Sequence, residues 1–423
     1  MTFRTLAFFF PLLLASPVFA AAIDFGPKSD VDYQSMPKVL LETKDSYIYR
    51  LPDATEADFA DLYWVNLEDS LYDRFTLETV GRVELMSEGH FAVLKIPADR
   101  IEAVAKLLHD ERSSCGQLHR LFGDEVPGNR SIPAAVPIIP VTESIAGLAA
   151  LQAQADPAKI RATVESMIAL PTRYAKNAAA GKTTALLTAT YNTWKRSDVT
   201  VKTFAHQSTP MQASVIVRIE GTKHPDEVVI IGSHIDSIST PSTFAPGADD
   251  NAAGTASNME VFRIIMENDL HFDRSIEIHG YASEELGLIG SQDIAKSYAN
   301  NGTQVIAMLQ NDMNMYRENA KDTIWLITND TDPALTSDVS TLVSRYQSVE
   351  LHSGRLDAGT SDHRAWTRQG FATVFPTENP TKYNHNLHTP RDTIANSGVF
   401  TQSAEFSKLS LAFVAHFAGL ERK

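Results

Sequence analysis

Hydrophobic and polar positions follow two different patterns along the chain. Up to about residue 125 the apolar runs are short. They predict a strand at Val39–Leu51, paired strands over Arg82–Ile96, and helices at Glu56–Leu71 and Arg100–Leu108. Residues 21–125 are therefore predicted to form a small α+β domain.

From residue 155 to residue 423, strand-length apolar runs alternate with segments of helical periodicity. The Val228–Ile231 run is uninterrupted, which is typical of a parallel strand buried on both faces. Predicted strands are Ala213–Glu220, Val228–Ile231, Ser275–Ala282, Val305–Leu309, Ile324–Ile327 and Ala372–Phe375. Predicted helices are Ile160–Leu170, Thr183–Trp194, Ala252–Glu267, Ile289–Asn300 and Phe406–Phe417. This alternation predicts an α/β domain, a three-layer α/β/α sandwich with a mainly parallel, mixed central sheet.

Two further segments have patterns of their own. Residues 1–20 combine Arg4, an apolar run and Val18-Phe19-Ala20, which is typical of a secretory signal peptide. Residues 126–154 are expected to be a linker, because prolines are dense in their first part.

Composition excludes only a few classes of function. The chain of 423 residues has a formal net charge of −15, which argues against binding to nucleic acid or to anionic membranes. Its 43% hydrophobic content supports an ordinary packed core. A single cysteine, Cys115, excludes an intramolecular disulfide.

Residues able to bind metal follow several of the predicted strands. Because the ends of parallel strands meet at one edge of a sheet, we expect these side chains to converge. Histidine and carboxylate ligands suit zinc and similar divalent ions, and this set exceeds the needs of one tetrahedral ion. It fits two ions that share a bridging carboxylate. The residues are His234, Asp249, Glu284, Glu285, Asp312 and His388.

Neighbouring acidic residues suggest supporting roles. Asp236 lies two positions beyond His234, so on extended backbone both side chains project from one face, and Asp236 could orient the imidazole. Glu284 and Glu285 are adjacent, so one could bind metal while the other acts as a general base.

Each of these residues also has an ordinary structural interpretation. A single histidine is usually a surface or core residue, Asp249 could simply cap a helix, and adjacent glutamates are usually solvated. The metal-site interpretation depends on their joint placement at strand ends.

Six stretches of the sequence resemble a known family. GSHIDS, APGADDNAAG, GYASEELGLIGSQ, LQNDM, TSDHRAW and LHTPRDT occur in the order found in M28 zinc aminopeptidases, secreted bacterial leucyl aminopeptidases above all. The resemblance covers roughly residues 155–420 and implies the zinc exopeptidase fold.

The resemblance implies a role for each site residue. His234 and Asp312 would bind one zinc ion, Glu285 and His388 the other, and Asp249 would bridge them. Glu284 would be the general base, and Asp236 the partner of His234. A cis peptide between Asp249 and Asp250 is also implied. Residues lining a pocket for the substrate's first side chain would be Met313, Phe375, Tyr383 and Leu387.

The sequence departs from its relatives in one loop. Leu356 and Thr360 stand near the positions of two disulfide-forming cysteines, and Ala358 replaces a tyrosine that helps to hold the oxyanion. Oxyanion stabilisation would then fall to the metal ions or to Tyr383.

The expected function is that of a secreted enzyme, extracellular or periplasmic, with two zinc ions per chain. It would remove bulky apolar N-terminal residues from peptides, with Glu284 deprotonating the metal-bound water that attacks the scissile carbonyl. The alternatives are an M28-type carboxypeptidase or glutaminyl cyclase, and a non-catalytic binding domain of the same fold.

Residues 21–125 resemble a propeptide mainly by position. We expect this unit to be a folding aid and inhibitor, removed after export from a monomeric enzyme; a permanent accessory domain is the alternative. Cys115 could hold the precursor latent as a zinc ligand, but the sequence favours a buried structural cysteine.

Overall fold

The computed structural model describes residues 140–356 and 360–421 continuously. In the N-terminal part it describes residues 23–27, 39–42, 46–50, 62–66, 83–88, 91–97, 100, 101, 104 and 118–120. The predicted signal peptide, Cys115 and Ala358 lie outside the described residues.

The N-terminal part contains two small antiparallel sheets, and the predicted strands of Arg82–Ile96 are confirmed. Two further predictions there were wrong. The single strand predicted over Val39–Leu51 is two antiparallel strands, Val39–Glu42 and Ser46–Arg50, and Leu62–Asn66 is a strand inside the helix predicted at Glu56–Leu71. The strand is favoured because Leu62–Val65 is buried between two partner strands. The strands are β1 Ile23–Pro27, β2 Val39–Glu42, β3 Ser46–Arg50, β4 Leu62–Asn66, β5 Val83–Glu88, β6 Phe91–Lys95 and β7 Leu118–Arg120, in the orders β1-β3-β2 and β5-β6-β4-β7.

A six-stranded mixed sheet forms the centre of the remaining chain. Its strands are β8 Val199–Phe204, β9 Ser214–Ile219, β10 His224–His234, β11 Arg274–Tyr281, β12 Gln304–Gln310 and β15 Thr373–Val374. β10 runs parallel to β11 and β12, β12 runs parallel to β15, and β9 is antiparallel to both β11 and β8. A second sheet consists of β13 Thr323–Ile327, β14 Glu350–Gly354 and β16 Pro376–Thr377.

Helices pack on both faces of the central sheet. Val229 and Ile231 of β10 belong to one apolar core, with two long helices, while Val228 and Ile230 belong to another, on the opposite face. This confirms the predicted three-layer α/β/α arrangement with a mainly parallel mixed sheet. The helices are α1 Leu148–Gln152, α2 Pro157–Ile168, α3 Gly181–Tyr191, α4 Gly254–Glu267, α5 Ile289–Asn300, α6 Pro333–Tyr346, α7 His363–Arg368, α8 Ile394–Ser397 and α9 Phe400–Phe417.

Most residues in the described end of the predicted linker, 140–154, are exposed, but two of its apolar side chains are buried. Val141 and Leu148 are buried in the core beside the central sheet. The Ile145 amide donates to the Tyr346 hydroxyl at 2.6 Å.

Strand register brings the carboxyl ends of three strands to one edge of the sheet. His234, the last residue of β10, pairs with Tyr281, the last residue of β11, and Gly232 pairs with Gln310, the last residue of β12. Glu284 follows β11 by three residues and Asp312 follows β12 by two. Among the described residues, no helix is both long and apolar enough to cross a membrane.

Candidate metal centre

The two predicted histidines lie on either side of one aspartate. Nε2 of His234 is 2.9 Å from Oδ1 of Asp250, and Nε2 of His388 is 2.9 Å from Oδ2 of the same carboxylate. Asp312 approaches His234 Nε2 at 3.4 Å, and Glu285 approaches His388 Nε2 at 3.1 Å. The five side chains therefore form two ligand groups that share Asp250.

Asp249, the residue predicted to bridge the ions, points away from this cluster. Its Oδ1 accepts the Met315 amide at 2.9 Å, and its Oδ2 accepts the side-chain amide of Asn384 at 3.1 Å. The structure therefore places Asp250, and not the predicted Asp249, between the two histidines. Neighbouring side chains leave the irregular turn Ala248–Ala253 in different directions, since Asp250 has extended backbone angles there. The cis peptide bond joins Asp250 to Asn251, and not Asp249 to Asp250.

Asp236 connects His234 to the turn that carries both glutamates. One carboxylate oxygen lies 3.5 Å from Nδ1 of His234 and accepts the Glu284 amide at 3.0 Å. The other accepts the Glu285 amide at 3.2 Å. The structure therefore places Asp236 beside His234, as predicted, and adds a second task of holding the glutamate turn.

Glu284 and Glu285 point differently from one short turn, Glu284–Leu286. The turn begins at Ser283, whose φ of 60° redirects the chain as it leaves β11. Glu285 faces His388, whereas Glu284 Oε1 is buried without a hydrogen-bond partner among the described residues. The Glu284 carboxylate nevertheless lies in a ligand group with Glu285 and His234.

Crowded carboxylates in a buried site have strongly perturbed acidities. Burial raises the pKa of Glu284 well above its usual value and that of Glu285 to about 7. Burial alone would lower the pKa of His388, but Glu285 and Asp250 outweigh it and raise this pKa to about 10. So much buried negative charge must be offset by protons or by a cation.

The donor set fits divalent cations of the zinc type. Two imidazoles and several carboxylates provide the nitrogen and oxygen ligands that zinc accepts. Oδ1 of Asp312 and Oε1 of Glu284 are buried and have no hydrogen-bond partner in the described part of the chain. Such atoms are costly unless something positive faces them.

Comparison with known proteins agrees with this geometry. The model of "Peptidase family M28" matches residues 214–413. "Leucine aminopeptidase 1" of Pyrenophora teres f. teres is 32% identical over 293 residues, which cover 65% of this chain and 74% of that protein. The chain belongs to peptidase family M28. This is a family of metallo-exopeptidases.

Further relatives and solved structures are similar to this chain. "Probable aminopeptidase YDR415C" of Saccharomyces cerevisiae is 37% identical over 225 residues, which cover 51% of this chain and 60% of that protein. The crystal structure of LapB from Legionella pneumophila matches with a TM-score of 0.71 and 27% identity, over 85% of this chain and 99% of that one. A glutaminyl cyclase from an Acidobacteriales bacterium, with a TM-score of 0.51 and 16% identity, shares the fold alone.

Two supporting residues of this M28 site had no predicted role. Asp392 accepts the backbone amides of Asp249 at 3.1 Å and of Asp250 at 3.0 Å. The hydroxyl of Ser361 donates to Asp312 Oδ2 at 2.6 Å. Both lie in stretches that carry the family resemblance, TSDHRAW and LHTPRDT, which was the available signal for them.

The residues predicted to line a substrate pocket meet in one apolar cluster of the M28 domain. Phe375 also stacks on the ring of His363, with the ring centroids 4.6 Å apart. The cluster follows Asp312 directly in sequence, because Met313 is the next residue. Its buried members are Met313, Ile327, Leu356, Phe375 and Leu387, with Tyr383 packed against them.

Proposed function

We propose that this M28 protein is a secreted aminopeptidase that uses two zinc ions per chain and removes bulky apolar N-terminal residues from peptides. The observation that carries the proposal is the position of Asp250, with one carboxylate oxygen directed at each of the two buried histidines. Relatives named leucine aminopeptidase support cleavage at the N-terminal end of the peptide.

The ligands divide between two ions. His234 and Asp312 would hold one ion, Glu285 and His388 would hold the other, and Asp250 would contact both. When bound, the ions supply Lewis acidity, which polarises the scissile carbonyl and lowers the pKa of water from its bulk value toward neutrality.

Glu284 would move the proton in this reaction. Its carboxylate is buried beside the ligand groups and has no competing hydrogen-bond partner at Oε1 within the described residues. It takes the proton from the attacking water and returns it to the departing amine. Asp236 holds the Glu284 and Glu285 amides, which keeps the base and the ligand at a fixed separation.

The apolar cluster beyond Asp312 would select the substrate's first side chain. Met313, Phe375 and Leu387 provide hydrocarbon and aromatic surface, and Tyr383 packs against them. Burying a leucine-sized side chain there would contribute about 1.5–3 kcal/mol of binding free energy.

The N-terminal unit would act as inhibitor and folding aid, as a propeptide does. Support comes from its contact with the catalytic domain, where Tyr63 and Val65 of β4 share an apolar cluster with Leu286 and Ile289. Leu286 directly follows Glu285. The match to LapB covers more of this chain than residues 155–423 amount to, so the similarity extends to residues before 155. The alternative that an experiment must exclude is a permanent accessory domain.

Export through the N-terminal signal, a monomeric state and a latency role for Cys115 complete the proposal. They are expectations from the sequence, since neither the signal segment nor Cys115 lies among the described residues. If alanine at Cys115 leaves precursor latency unchanged, the thiolate has no part in it.

A second candidate is a carboxypeptidase or a glutaminyl cyclase, because the cyclase fold is similar. The separating experiment compares four substrates on one zinc-loaded preparation: leucine p-nitroanilide, the same compound with an acetylated N-terminus, an N-blocked dipeptide with a free carboxylate, and a glutaminyl peptide. We expect turnover of the first compound only. Hydrolysis of the N-blocked dipeptide would indicate a carboxypeptidase, and loss of ammonia from the glutaminyl peptide a cyclase.

A further inference from the structure

Arg173 is a fully buried arginine close to the candidate metal centre. Burying an arginine is unusual, and a carboxylate partner normally accompanies it. Here the side-chain hydrogen bonds found in the described part of the chain all go to backbone carbonyl groups. The guanidinium thus holds main chain and leaves the ligand carboxylates untouched.

These carbonyl groups belong to two loops that carry metal-binding side chains. Nε donates to Ile235 O at 3.0 Å, one residue after His234. Nη2 donates to Gly247 O at 2.9 Å, and Nη1 donates to the carbonyl of the preceding proline. Gly247 lies three residues before Asp250. One planar group therefore ties the loop after His234 to the loop before Asp250.

The loop before Asp250 lies close against the guanidinium of Arg173. Gly247 has a φ of 52°, and a Cβ atom there would lie 2.9 Å from Nη2 of Arg173. Ser237 joins the same two loops nearby, because its hydroxyl donates to Ala245 O at 2.8 Å and accepts the Arg173 amide at 3.3 Å. Backbone and side chain thus leave the guanidinium little freedom.

Arg173 also places a positive charge beneath a site rich in carboxylates. Burial lowers its pKa to about 10, against the opposing influence of Asp392, Asp236 and Asp250. The side chain therefore remains protonated at neutral pH. A fixed cation at this place reduces the repulsion among the carboxylates when the loops are brought together.

We propose that Arg173 is a positioning residue of the metal centre, which sets the distance between the His234 loop and the Asp250 loop before any ion binds. The inference rests on the proposed two-metal site and adds the group that preorganises it. Both ions would benefit, because Asp250 is the ligand they share.

The test is the zinc affinity of metal-free protein carrying Arg173→Lys or Arg173→Met, measured by competition with a chromophoric chelator. Lysine keeps the charge but cannot reach carbonyls of both loops, and methionine keeps only part of the volume. We expect zinc binding to weaken about 10–100-fold in both variants. The methionine variant should be weaker still, since it also loses the charge.

Arg218→Lys is the matched control. Arg218 also bridges strands through a backbone carbonyl, that of Pro225, and it contacts Ser275 Oγ at 2.9 Å. It does so at the opposite end of β10 and β11. We expect this variant to unfold at lower temperature while its zinc affinity stays that of the parent.

Unchanged zinc affinity in both Arg173 variants, with only a lowered unfolding temperature, would overturn the proposal. If neither variant folds without metal, Ser237→Ala loosens the same junction more gently and must show a smaller loss in the same direction; parental affinity there also counts against the proposal. A parent protein that binds no zinc would instead refute the proposed function.

Discussion

At the scale of single residues, the site depends on which of two adjacent aspartates faces the histidines. Asp249 and Asp250 are chemically identical, but Asp250 contacts His234 and His388, whereas Asp249 accepts the Met315 amide. The sequence could not distinguish them, because the choice depends on the backbone angles of an irregular turn. The other candidate ligands could be picked out because they follow predicted strands, but only the family resemblance distinguished their roles, for example that of Glu285 from that of Glu284.

The two aspartates provide a matched pair of variants. We expect Asp250→Asn to lose zinc from both positions, because one carboxylate oxygen serves each ligand group. Asp249→Asn should retain zinc and fall in stability by about 1–3 kcal/mol through its buried hydrogen bonds. Equilibrium dialysis followed by elemental analysis measures the zinc content of both variants, and urea unfolding measures the stability of Asp249→Asn. The assignment of the bridge is wrong if Asp249→Asn releases the metal and Asp250→Asn does not.

Glu284 is predicted to transfer a proton during catalysis and not to be needed for holding the metal ions. Glu284→Gln preserves shape and removes the base, so we expect both zinc ions to stay and kcat to fall about 10²–10⁴-fold. Kinetics with leucine p-nitroanilide, on samples of measured zinc content, give the result. Near-normal turnover by the folded variant would exclude this residue as the base.

At the scale of secondary-structure elements, buried strands were the most predictable feature. Val228–Ile231 was recognised from its uninterrupted apolar run, and the structure extends it to His224–His234. The partly exposed strands β8 and β14 were missed because their exposed positions dilute the pattern. Helix α6 was missed although its buried residues have helical spacing: Leu335, Val339, Leu342 and Val343. Leu62–Asn66 was mistaken for helix since its burial comes from tertiary partners.

Glu277 of β11 offers a test of electrostatics between elements. It accepts hydrogen bonds from Arg218 at 2.9 Å and from Tyr298 at 2.6 Å, and it contacts His279 at 2.9 Å. Burial alone would raise its pKa, but these partners, His279 first, lower the pKa to about 2. The ionised form therefore stabilises the fold.

The lowered pKa of Glu277 determines how the stability of the fold depends on pH. The contribution of Glu277 is fully present above its unfolded value of about 4.3, and it is lost as pH falls toward 2. We expect Glu277→Gln to cost about 3 kcal/mol of unfolding free energy near neutral pH, and the deficit against the parent should shrink as pH falls. Urea unfolding of the variant and the parent at several pH values measures this difference in unfolding free energy. A deficit that does not vary with pH would show that ionisation of Glu277 is not the cause.

At the scale of the whole molecule, the N-terminal unit lies against the elements that carry the site. Besides the cluster around Leu286, the guanidinium of Arg364 sits 4.8 Å above the ring of Trp64. Arg364 follows Ser361, which binds Asp312, by three residues. Removing the unit would therefore disturb contacts on two sides of the metal centre.

Cleavage within residues 121–139 tests the inhibitory role. If the unit covers the site, its release should raise hydrolysis of leucine p-nitroanilide at least about tenfold, with most of the change in KM. An uncleaved sample taken through the same protease buffer is the control. Loss of activity or precipitation after release would instead favour a permanent domain, since the apolar surface around Leu286 would then be exposed.

The most direct test of the whole account is a zinc titration of metal-free protein, with N-terminal leucine release recorded at each step. We expect negligible activity after chelation, a rise as zinc is added, and a plateau once two ions are bound per chain. Full activity in chelated protein, or a plateau reached with no zinc bound, would contradict it.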